Sequence, residues 1–235
     1  GTMLLNDYVY AIAISGTDVY AGGPFTNAGG DANADKIAKF NGGAWSALGP
    51  TPLNNTVGDV AISGTDVYAG GGFVNAGGDV NADKFAKFSG GVWSALGTTS
   101  LNGNVDAIAI SGGDVYVGGS FTNWGGDANA DYIARWNGIT WSALGSIPLN
   151  DSVSAIAISG GDVYAGGNFT DAGGVANADY IAMVSGGAWS ALGSTPLNGN
   201  ITTIAINEGD VYAGGIFSDA GGDVNADMIA KWNGT

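Results

Sequence analysis

The chain has 235 residues, 45% of them hydrophobic, with 44 glycines, no cysteine, no histidine and a formal net charge of -15. The absence of cysteine and histidine excludes disulfides, thiolate or imidazole metal sites and catalysis by Ser-His or Cys-His pairs. The negative charge disfavours nucleic acid and anionic membranes as partners, because both need a cationic protein surface, and no stretch approaches the length of a membrane span.

A unit of 48 residues recurs along the whole chain. The tripeptide Asp-Val-Tyr begins at the same position of every copy, and a period of about 40 to 50 residues is typical of β-propellers and related arrays. The chain is therefore predicted to be a single domain, residues 1–235, with repeats at about 1–48, 49–96, 97–144, 145–192 and 193–235. The tripeptides start at Asp18, Asp66, Asp114, Asp162 and Asp210.

Each repeat contains four short apolar runs, separated by turn residues. In the third copy we assign strands to residues 105–110, 114–118, 132–136 and 140–144. The runs are too short and too rich in glycine for helices, and the glycines at 112–113 and 138 are hairpin-type turn signals. Residues 121–131, between the second and third strands, form the one long loop.

The first strand of each repeat is apolar on both faces. In the third copy Ile108 and Ile110 lie on a bulky face, and Val105, Ala107 and Ala109 lie on a small one. A lone sheet would leave one face in water, whereas packing the bulky face of one blade on the small face of the next buries both, and closing a ring covers the last two. The sequence therefore predicts an all-β, five-bladed β-propeller with four antiparallel strands per blade.

The fifth repeat lacks the Trp-Ser-Ala-Leu strand that begins at Trp45, Trp93, Trp141 and Trp189 in the other copies. Blade five is then expected to have three strands, and residues 228–232 form an open edge through which the chain can self-associate. The alternative is a trimmed or disordered tail.

The repeat resembles a known family. The segments Val-Tyr-Ala-Gly-Gly-x-Phe, Ile-Ala-Lys-Phe/Trp-Asn-Gly and Trp-Ser-Ala-Leu-Gly are similar to the kelch-related repeats of secreted and cell-surface bacterial proteins. The resemblance implies an extracellular or cell-surface propeller, usually one module of a longer protein, without a catalytic role. The long Phe-Thr-Asn-Ala-Gly-Gly loop departs from the kelch pattern, so no partner-binding residues are carried over. Galactose oxidases share the broad fold, but their copper ligands have no counterpart here.

The long loop carries the one motif with metal-ligand spacing, Asp-x-Asn-x-Asp. Alternating oxygen ligands suit Ca²⁺, which takes six to eight of them. The motif lacks the glycine and the bidentate Glu of an EF-hand, and the same side chains can instead hydrogen-bond the turn backbone. Both interpretations stay open, Val175 replaces the first aspartate in the fourth copy, and no other cofactor is predicted. The candidate metal ligands are Asp31, Asn33 and Asp35; Asp79, Asn81 and Asp83; Asp127, Asn129 and Asp131; and Asp223, Asn225 and Asp227.

Trp124 stands where the other copies have alanine, in a glycine-rich loop that is expected to lie near solvent. A lone loop tryptophan is a candidate ligand contact, and drift between copies explains it equally well. The repeated tryptophans of the fourth strand are predicted to fill space between blades rather than to bind sugar.

Two functions from different classes fit the sequence. The first is a non-catalytic, multivalent binding or adhesion module, lectin-like, with glycan or protein ligands at its loop rim and weak contacts that add through avidity. The second is an engineered or recently amplified scaffold with no selected ligand. An enzyme is not expected, because acid-base catalysis needs two carboxylates in different environments and a repeat supplies equal ones. Free changes of charge and size at one position favour the scaffold: Lys36, Lys84, Tyr132, Tyr180 and Met228.

Overall fold

The computed structural model describes residues 4–234, which form β-strands joined by turns, with one short 3₁₀ turn in each repeat. Each repeat contributes one sheet whose strands lie in chain order, with four strands in each of the first four sheets and three in the fifth. Within residues 4–234, no helix has the length and hydrophobicity of a membrane span. The predicted all-β fold with five propeller-type blades is confirmed.

The strands have the following bounds. Blade one contains β1 (Ala11–Ser15), β2 (Asp18–Gly22), β3 (Ile37–Asn41) and β4 (Ala44–Ser46). Blade two contains β5 (Val57–Ser63), β6 (Asp66–Gly71), β7 (Phe85–Ser89) and β8 (Val92–Ser94). Blade three contains β9 (Val105–Ser111), β10 (Asp114–Gly119), β11 (Ile133–Trp136) and β12 (Trp141–Ser142). Blade four contains β13 (Val153–Ser159), β14 (Asp162–Gly167), β15 (Ile181–Ser185) and β16 (Ala188–Ser190), and blade five contains β17 (Ile201–Asn207), β18 (Asp210–Gly215) and β19 (Ile229–Trp232).

The strands assigned from the sequence agree with the structure at their centres and differ at their ends. In the third repeat β11 begins at Ile133 rather than at residue 132, because Tyr132 has a left-handed φ of 63°. The fourth strand is shorter than expected and covers only Trp141–Ser142.

The chain divides into two compact units, Gly1–Ile110 and Ser111–Thr235. We call them unit one and unit two. A single domain over residues 1–235 and the closure of a ring stay predictions.

Successive blades within each unit pack a glycine of the second strand against branched side chains of the next first strand. A Cβ placed on Gly22 would lie 2.6 Å from Cγ1 of Val57, and one on Gly166 would lie 2.5 Å from Cγ2 of Ile201. Only glycine therefore fits beneath the next blade at this position. The same contact recurs at Gly70 against Val105 and at Gly118 against Val153.

The placement of Val105 on the small face is wrong: it packs with Ile108 against Gly70. The equivalent strands β5 and β13 have a β-bulge after their first residue, which turns that residue to the bulky face.

The aspartate of each Asp-Val-Tyr tripeptide begins the second strand and faces the third strand. Where the third strand offers a cation, the two side chains form an ion pair. The pairs are partly exposed to solvent, so each adds little to stability. They join Lys39 to Asp18 at 2.5 Å, Lys87 to Asp66 at 3.3 Å, Arg135 to Asp114 at 2.6 Å and Lys231 to Asp210 at 2.9 Å.

Candidate functional site

The two positions that hold a different residue in every copy, those of Tyr10 and Pro24, lie with three further varied positions at one end of the strands of each sheet. Three positions lie around the start of the first strand, one follows the double glycine, and one precedes the third strand. We call the five positions of each blade its variable cluster. In chain order the clusters are Asp7, Tyr8, Tyr10, Pro24 and Lys36; Asn55, Thr56, Gly58, Gly72 and Lys84; Gly103, Asn104, Asp106, Ser120 and Tyr132; Asp151, Ser152, Ser154, Asn168 and Tyr180; and Gly199, Asn200, Thr202, Ile216 and Met228.

One backbone hydrogen bond recurs in all five variable clusters, and a second occurs in blades two, four and five. Pro24 has no N–H and cannot make the second bond in blade one. In blade two the N–H of Gly72 donates to the carbonyl of Thr56 at 2.9 Å, and the N–H of Gly71 donates to the carbonyl of Lys84 at 2.9 Å. Equivalent pairs of bonds occur in blades four and five. The ammonium of Lys84 also donates to the carbonyl of Gly72 at 2.8 Å, which fixes this side chain across the cluster.

The residue before the third strand has a left-handed backbone in every blade. An L-residue with a large side chain rarely adopts positive φ, and the conformation costs about 1 kcal/mol or more. Strained backbone of this kind clusters at functional sites. The φ angles are 67° at Lys36, 65° at Lys84, 63° at Tyr132, 62° at Tyr180 and 61° at Met228.

In unit one the variable clusters line a pocket of about 330 Å³. Tyr10 contributes an aromatic ring that is 59% exposed and stacks on the ring of Tyr8, with centroids 6.3 Å apart. Three successive repeats contribute to the lining. Its polar side chains are Asn55, Thr56, Lys84, Asn104 and Asp106.

The pocket combines both signs of charge with an aromatic surface. The side chain of Asp106 is accessible to solvent, yet nearby protein atoms desolvate its carboxyl and raise its pKa. Amides, a hydroxyl and a carboxylate can donate to and accept from the hydroxyl groups of a ligand, while the ring of Tyr10 offers an apolar face. This arrangement suits a small polar ligand with several hydroxyl groups.

The Asp-x-Asn-x-Asp side chains bind the backbone around their own loop. In blade one, Asp31 accepts from the N–H of Asn33 at 3.0 Å through one oxygen and from the N–H of Ala47 at 3.0 Å through the other. Asp35 accepts from the N–H of Asn27 at 2.7 Å. The bond from Asn33, followed by that from Ala47, lowers the pKa of the Asp31 carboxyl.

The other loops repeat these bonds. Asp79 and Asp127 accept from Asn81 and Asn129 as Asp31 does from Asn33. The third aspartate of each loop accepts from a backbone N–H at 2.6 to 2.9 Å. Residues 4–234 contain no group of three or more Asp or Glu side chains placed to hold a metal ion. The geometry favours the bracing of the turn, and calcium binding at Asp31, Asp79, Asp127, Asp223 and their partners stays a prediction. The third aspartates that accept a backbone N–H at 2.6 to 2.9 Å are Asp83, Asp131, Asp179 and Asp227.

Trp124 is buried, so the expectation that it lies near solvent is wrong. Its side chain is 4% exposed, its ring stacks on Trp141 with centroids 3.5 Å apart, and it meets the ring of Phe121 edge-on at 5.2 Å. The 3₁₀ turn (Trp124–Gly126) places the first residue inward in this blade, as it does in the first, second and fourth. The alanine at this position in the other copies was the signal for a buried site.

The sequence did not predict the pocket of unit one, because its lining comes from three repeats and no single repeat contains it. The signal in the sequence was the variation between copies at the lining positions. The neighbouring residues Asn55 and Thr56, for example, replace Asp7 and Tyr8 of the first copy.

No known protein family and no curated protein matches the sequence. A solved structure, the extracellular domain assigned to a one-component system of B. thetaiotaomicron, has a similar fold, with a TM-score of 0.59 over 95% of this chain and 12% sequence identity. The chain spans 27% of the length of that protein's chain. The likeness supports a β-repeat fold.

Proposed function

We propose that the chain is a non-catalytic binding module that takes a saccharide, or a similarly hydroxylated ligand, in the pocket of unit one. The observation that carries this proposal is the gathering of copy-to-copy differences around that pocket. Copies differ at other exposed positions too, as at Gly91 and Ile139, but only the positions of Tyr10 and Pro24 hold a different residue in every copy. Both of these positions belong to the variable clusters.

We assign the ligand contacts to the variable clusters rather than to the long loops. The loop aspartates accept hydrogen bonds from the backbone of their own loop, and Trp124 is buried, so we assign the ligand contacts of this proposal to neither. The variable clusters differ from blade to blade. Multivalency would therefore come from unlike sites, each suited to a different part of a larger glycan, rather than from five equal ones.

The charge of the pocket supports a neutral ligand rather than an anion. The chain carries a net charge of -15, and the ammonium of Lys84 already donates to the carbonyl of Gly72. The exposed ring of Tyr10 can stack on a sugar ring, and the amides and carboxylate beside it can bond the hydroxyl groups.

A catalytic role is not part of the proposal. The pocket lining includes one carboxylate, that of Asp106, whereas glycoside hydrolysis normally uses two. An extracellular or cell-surface location and a kelch-like repeat fit the same proposal. The repeat pattern supports both, and the similar solved structure is itself an extracellular domain.

A glycan array probed with the labelled chain tests the proposal, followed by calorimetric titration of the hits. Replacing Tyr10→Ala or Asp106→Asn should weaken binding by about tenfold or more, because each removes one ligand contact from the pocket. The matched control is Ser154→Ala, which changes the same register position in blade four and should leave binding unchanged. Melting temperatures of all four proteins should agree.

An array without hits would contradict the proposal and favour the bare scaffold. Glycans that the Tyr10→Ala and Asp106→Asn variants bind with the same affinity as the original chain would also contradict the proposal.

A further inference from the structure

The carboxylate of Asp59 joins two successive blades of unit one. Asp59 lies in β5 of blade two, and one of its oxygens accepts from the N–H of Ile108, in β9 of blade three, at 2.6 Å. The other oxygen accepts from the N–H of Val60 at 2.8 Å. Val60 and Ile108 are 48 residues apart, so the carboxylate binds the same position of two copies of the repeat. We call this pair of bonds the Asp59 bridge.

The Asp59 bridge is particular to blade two. The first strands of the other blades have no carboxylate at this position, and an alanine side chain has no hydrogen-bond acceptor with which to replace it. Because those strands form without a carboxylate here, the fold of a blade does not depend on one. The residues at the position of Asp59 are Ala11, Ala107, Ala155 and Thr203.

The two strands that Asp59 joins also contribute to the pocket of unit one. Gly58 immediately precedes Asp59, Asp106 lies two residues before Ile108, and both Gly58 and Asp106 line the pocket. Asp59 itself is half-buried and lies outside the lining. The Asp59 bridge therefore constrains the distance between Asp106 and the part of the pocket that blade two supplies.

The carboxylate of Asp59 lowers the stability of the fold in this place. Burial raises its pKa to about 6, although the two backbone hydrogen bonds favour the ionised form. The alanine of the other blades avoids this desolvation penalty. A residue that the fold does not need and that reduces its stability is typical of a functional site.

Neighbouring charges do not offset the burial of Asp59. It lies opposite Gly70 in the sheet, on the face that packs against β9. Among the described residues of unit one, no charged group contributes to the raised pKa of Asp59. The titratable groups on this face and around the pocket are Asp106 on β9, Asp66 and Tyr68 on β6, Lys87 on β7, which pairs with Asp66, and Lys84 and Tyr10 in the pocket lining.

We propose that Asp59 is a positioning residue of the pocket, and that its ionised bridge to blade three strengthens the binding of a hydroxylated ligand. This inference rests on the proposed binding function. The ionised carboxylate accepts charge-assisted bonds from both N–H groups and holds β5 and β9 at one spacing. Protonation weakens both bonds, so Asp106 is held less firmly opposite the polar groups of blade two. A ligand that contacts both blades then loses affinity.

The pH dependence of ligand affinity follows from the raised pKa of Asp59. Above pH 6 the carboxylate is ionised and the Asp59 bridge is intact, whereas at pH 5 about one molecule in ten keeps it ionised. Affinity should therefore fall by up to about tenfold from pH 7.5 to pH 5. Desolvation also raises the pKa of Asp106, whose protonation acts in the same direction, so the experiment has to separate the two carboxyls.

Calorimetric titration at pH 7.5 and pH 5, with the glycan that the array shows to bind most tightly, tests the proposal. Asp59→Asn keeps an oxygen that can accept from Ile108 but has no proton to gain. It should bind as the original chain does at pH 7.5 and should lose most of the pH dependence. The pH dependence that persists in this variant belongs to Asp106.

Asp59→Ala removes the Asp59 bridge and should weaken binding by about fivefold or more at pH 7.5. The variant is expected to fold, because three other blades carry alanine at this position. The matched control is Thr203→Ala, which changes the same position in blade five and should alter neither the affinity nor its pH dependence.

A second measurement needs no ligand. In Asp106→Asn the pocket lining has no carboxylate left, so the amide resonances of Ile108 and Asn104 should follow Asp59 alone, with a midpoint near pH 6. Adding Asp59→Asn should abolish both titrations in nuclear magnetic resonance spectra. Asn104 lines the pocket, so its response reports whether the state of Asp59 reaches the binding surface.

Three results would overturn the proposal: an unchanged pH dependence in Asp59→Asn, undiminished binding by Asp59→Ala, or an Asn104 amide that does not respond to Asp59. An array without hits contradicts the proposed binding function instead. The amide titration then still decides whether Asp59 positions the residues of β9.

Discussion

The long loop and the variable cluster lie at the same end of the strands in each sheet, but they differ in what the copies share. In the loop the phenylalanine and the third aspartate are the same in every copy because they build the structure: Phe121 is fully buried and Asp131 binds the backbone of Asn123. In the cluster the side chains differ, and the backbone bond to the residue before the third strand recurs in every blade. The repeat therefore separates the residues that specify the fold from those that are free to meet a ligand, although both occupy one surface.

The largest effect that we expect comes from the core of the long loop. Phe121→Ala should lower the free energy of unfolding by about 4 kcal/mol, since the ring is 0% exposed and its removal leaves a cavity. Urea unfolding followed by circular dichroism measures the change.

The matched control is Ile216→Ala in the variable cluster of blade five, where the side chain is 71% exposed. Its effect should stay within about 0.5 kcal/mol. Similar losses in the two variants would contradict the contrast between loop and cluster.

The next effect comes from Asp59, a half-buried carboxylate beside the variable cluster of blade two. It accepts from the N–H of Ile108 at 2.6 Å and from that of Val60 at 2.8 Å, yet burial raises its pKa from 3.8 to about 6. The folded chain therefore holds this proton more tightly than the unfolded chain does. The resulting destabilisation is small below pH 4, grows between pH 4 and pH 6, and levels off above pH 6 at about 3 kcal/mol at most.

Asp59→Asn should accordingly raise the free energy of unfolding at pH 7.5 and change it little at pH 4. Thermal and urea unfolding at both pH values measure the difference. Asp106→Asn serves as the comparison, because desolvation also raises the pKa of that carboxyl but its side chain is exposed to solvent, so a smaller gain is expected. The carboxyls of Asp18 and Asp66 have lowered pKa values, so their contribution to the free energy of unfolding is lost only as pH falls below their ordinary pKa of 3.8. They therefore add little to the difference between pH 4 and pH 7.5. A gain from Asp59→Asn that is equal at pH 4 and 7.5 would contradict the burial argument.

A smaller effect separates the two interpretations of the loop aspartates. Asp131→Ala removes the acceptor of the Asn123 N–H and should lower the free energy of unfolding by about 1.5 kcal/mol. Because the carboxylates already accept backbone bonds, millimolar calcium should leave the melting temperature of the original chain unchanged. A calcium-dependent rise that disappears in Asp131→Ala would instead establish a metal site.

The sequence was sufficient for the features that repeat and insufficient for those that arise between repeats. The spacing of the Asp-Val-Tyr tripeptides predicted the blades, and the two apolar faces of the first strand predicted that blades pack on one another. The glycine contacts at Gly22 and Gly166 were not predicted, because a β-bulge changes which residues share a face. The position of Trp124 was misjudged because a glycine-rich segment resembles a solvent loop, whereas its 3₁₀ turn folds the residue onto Trp141. The pocket around Tyr10 joins three repeats, and no pattern within one repeat encodes it.

The five left-handed residues before the third strands carry an evolutionary consequence. Glycine and asparagine adopt such a backbone far more readily than lysine, tyrosine or methionine. At about 1 kcal/mol each, the strain of all five is comparable with the whole net stability of many domains. Selection for thermal stability alone would have placed glycine before the third strand in every repeat. A chain with glycine at all five positions should be more stable and should bind the ligand more weakly. It is therefore a suitable negative control for ligand-binding measurements.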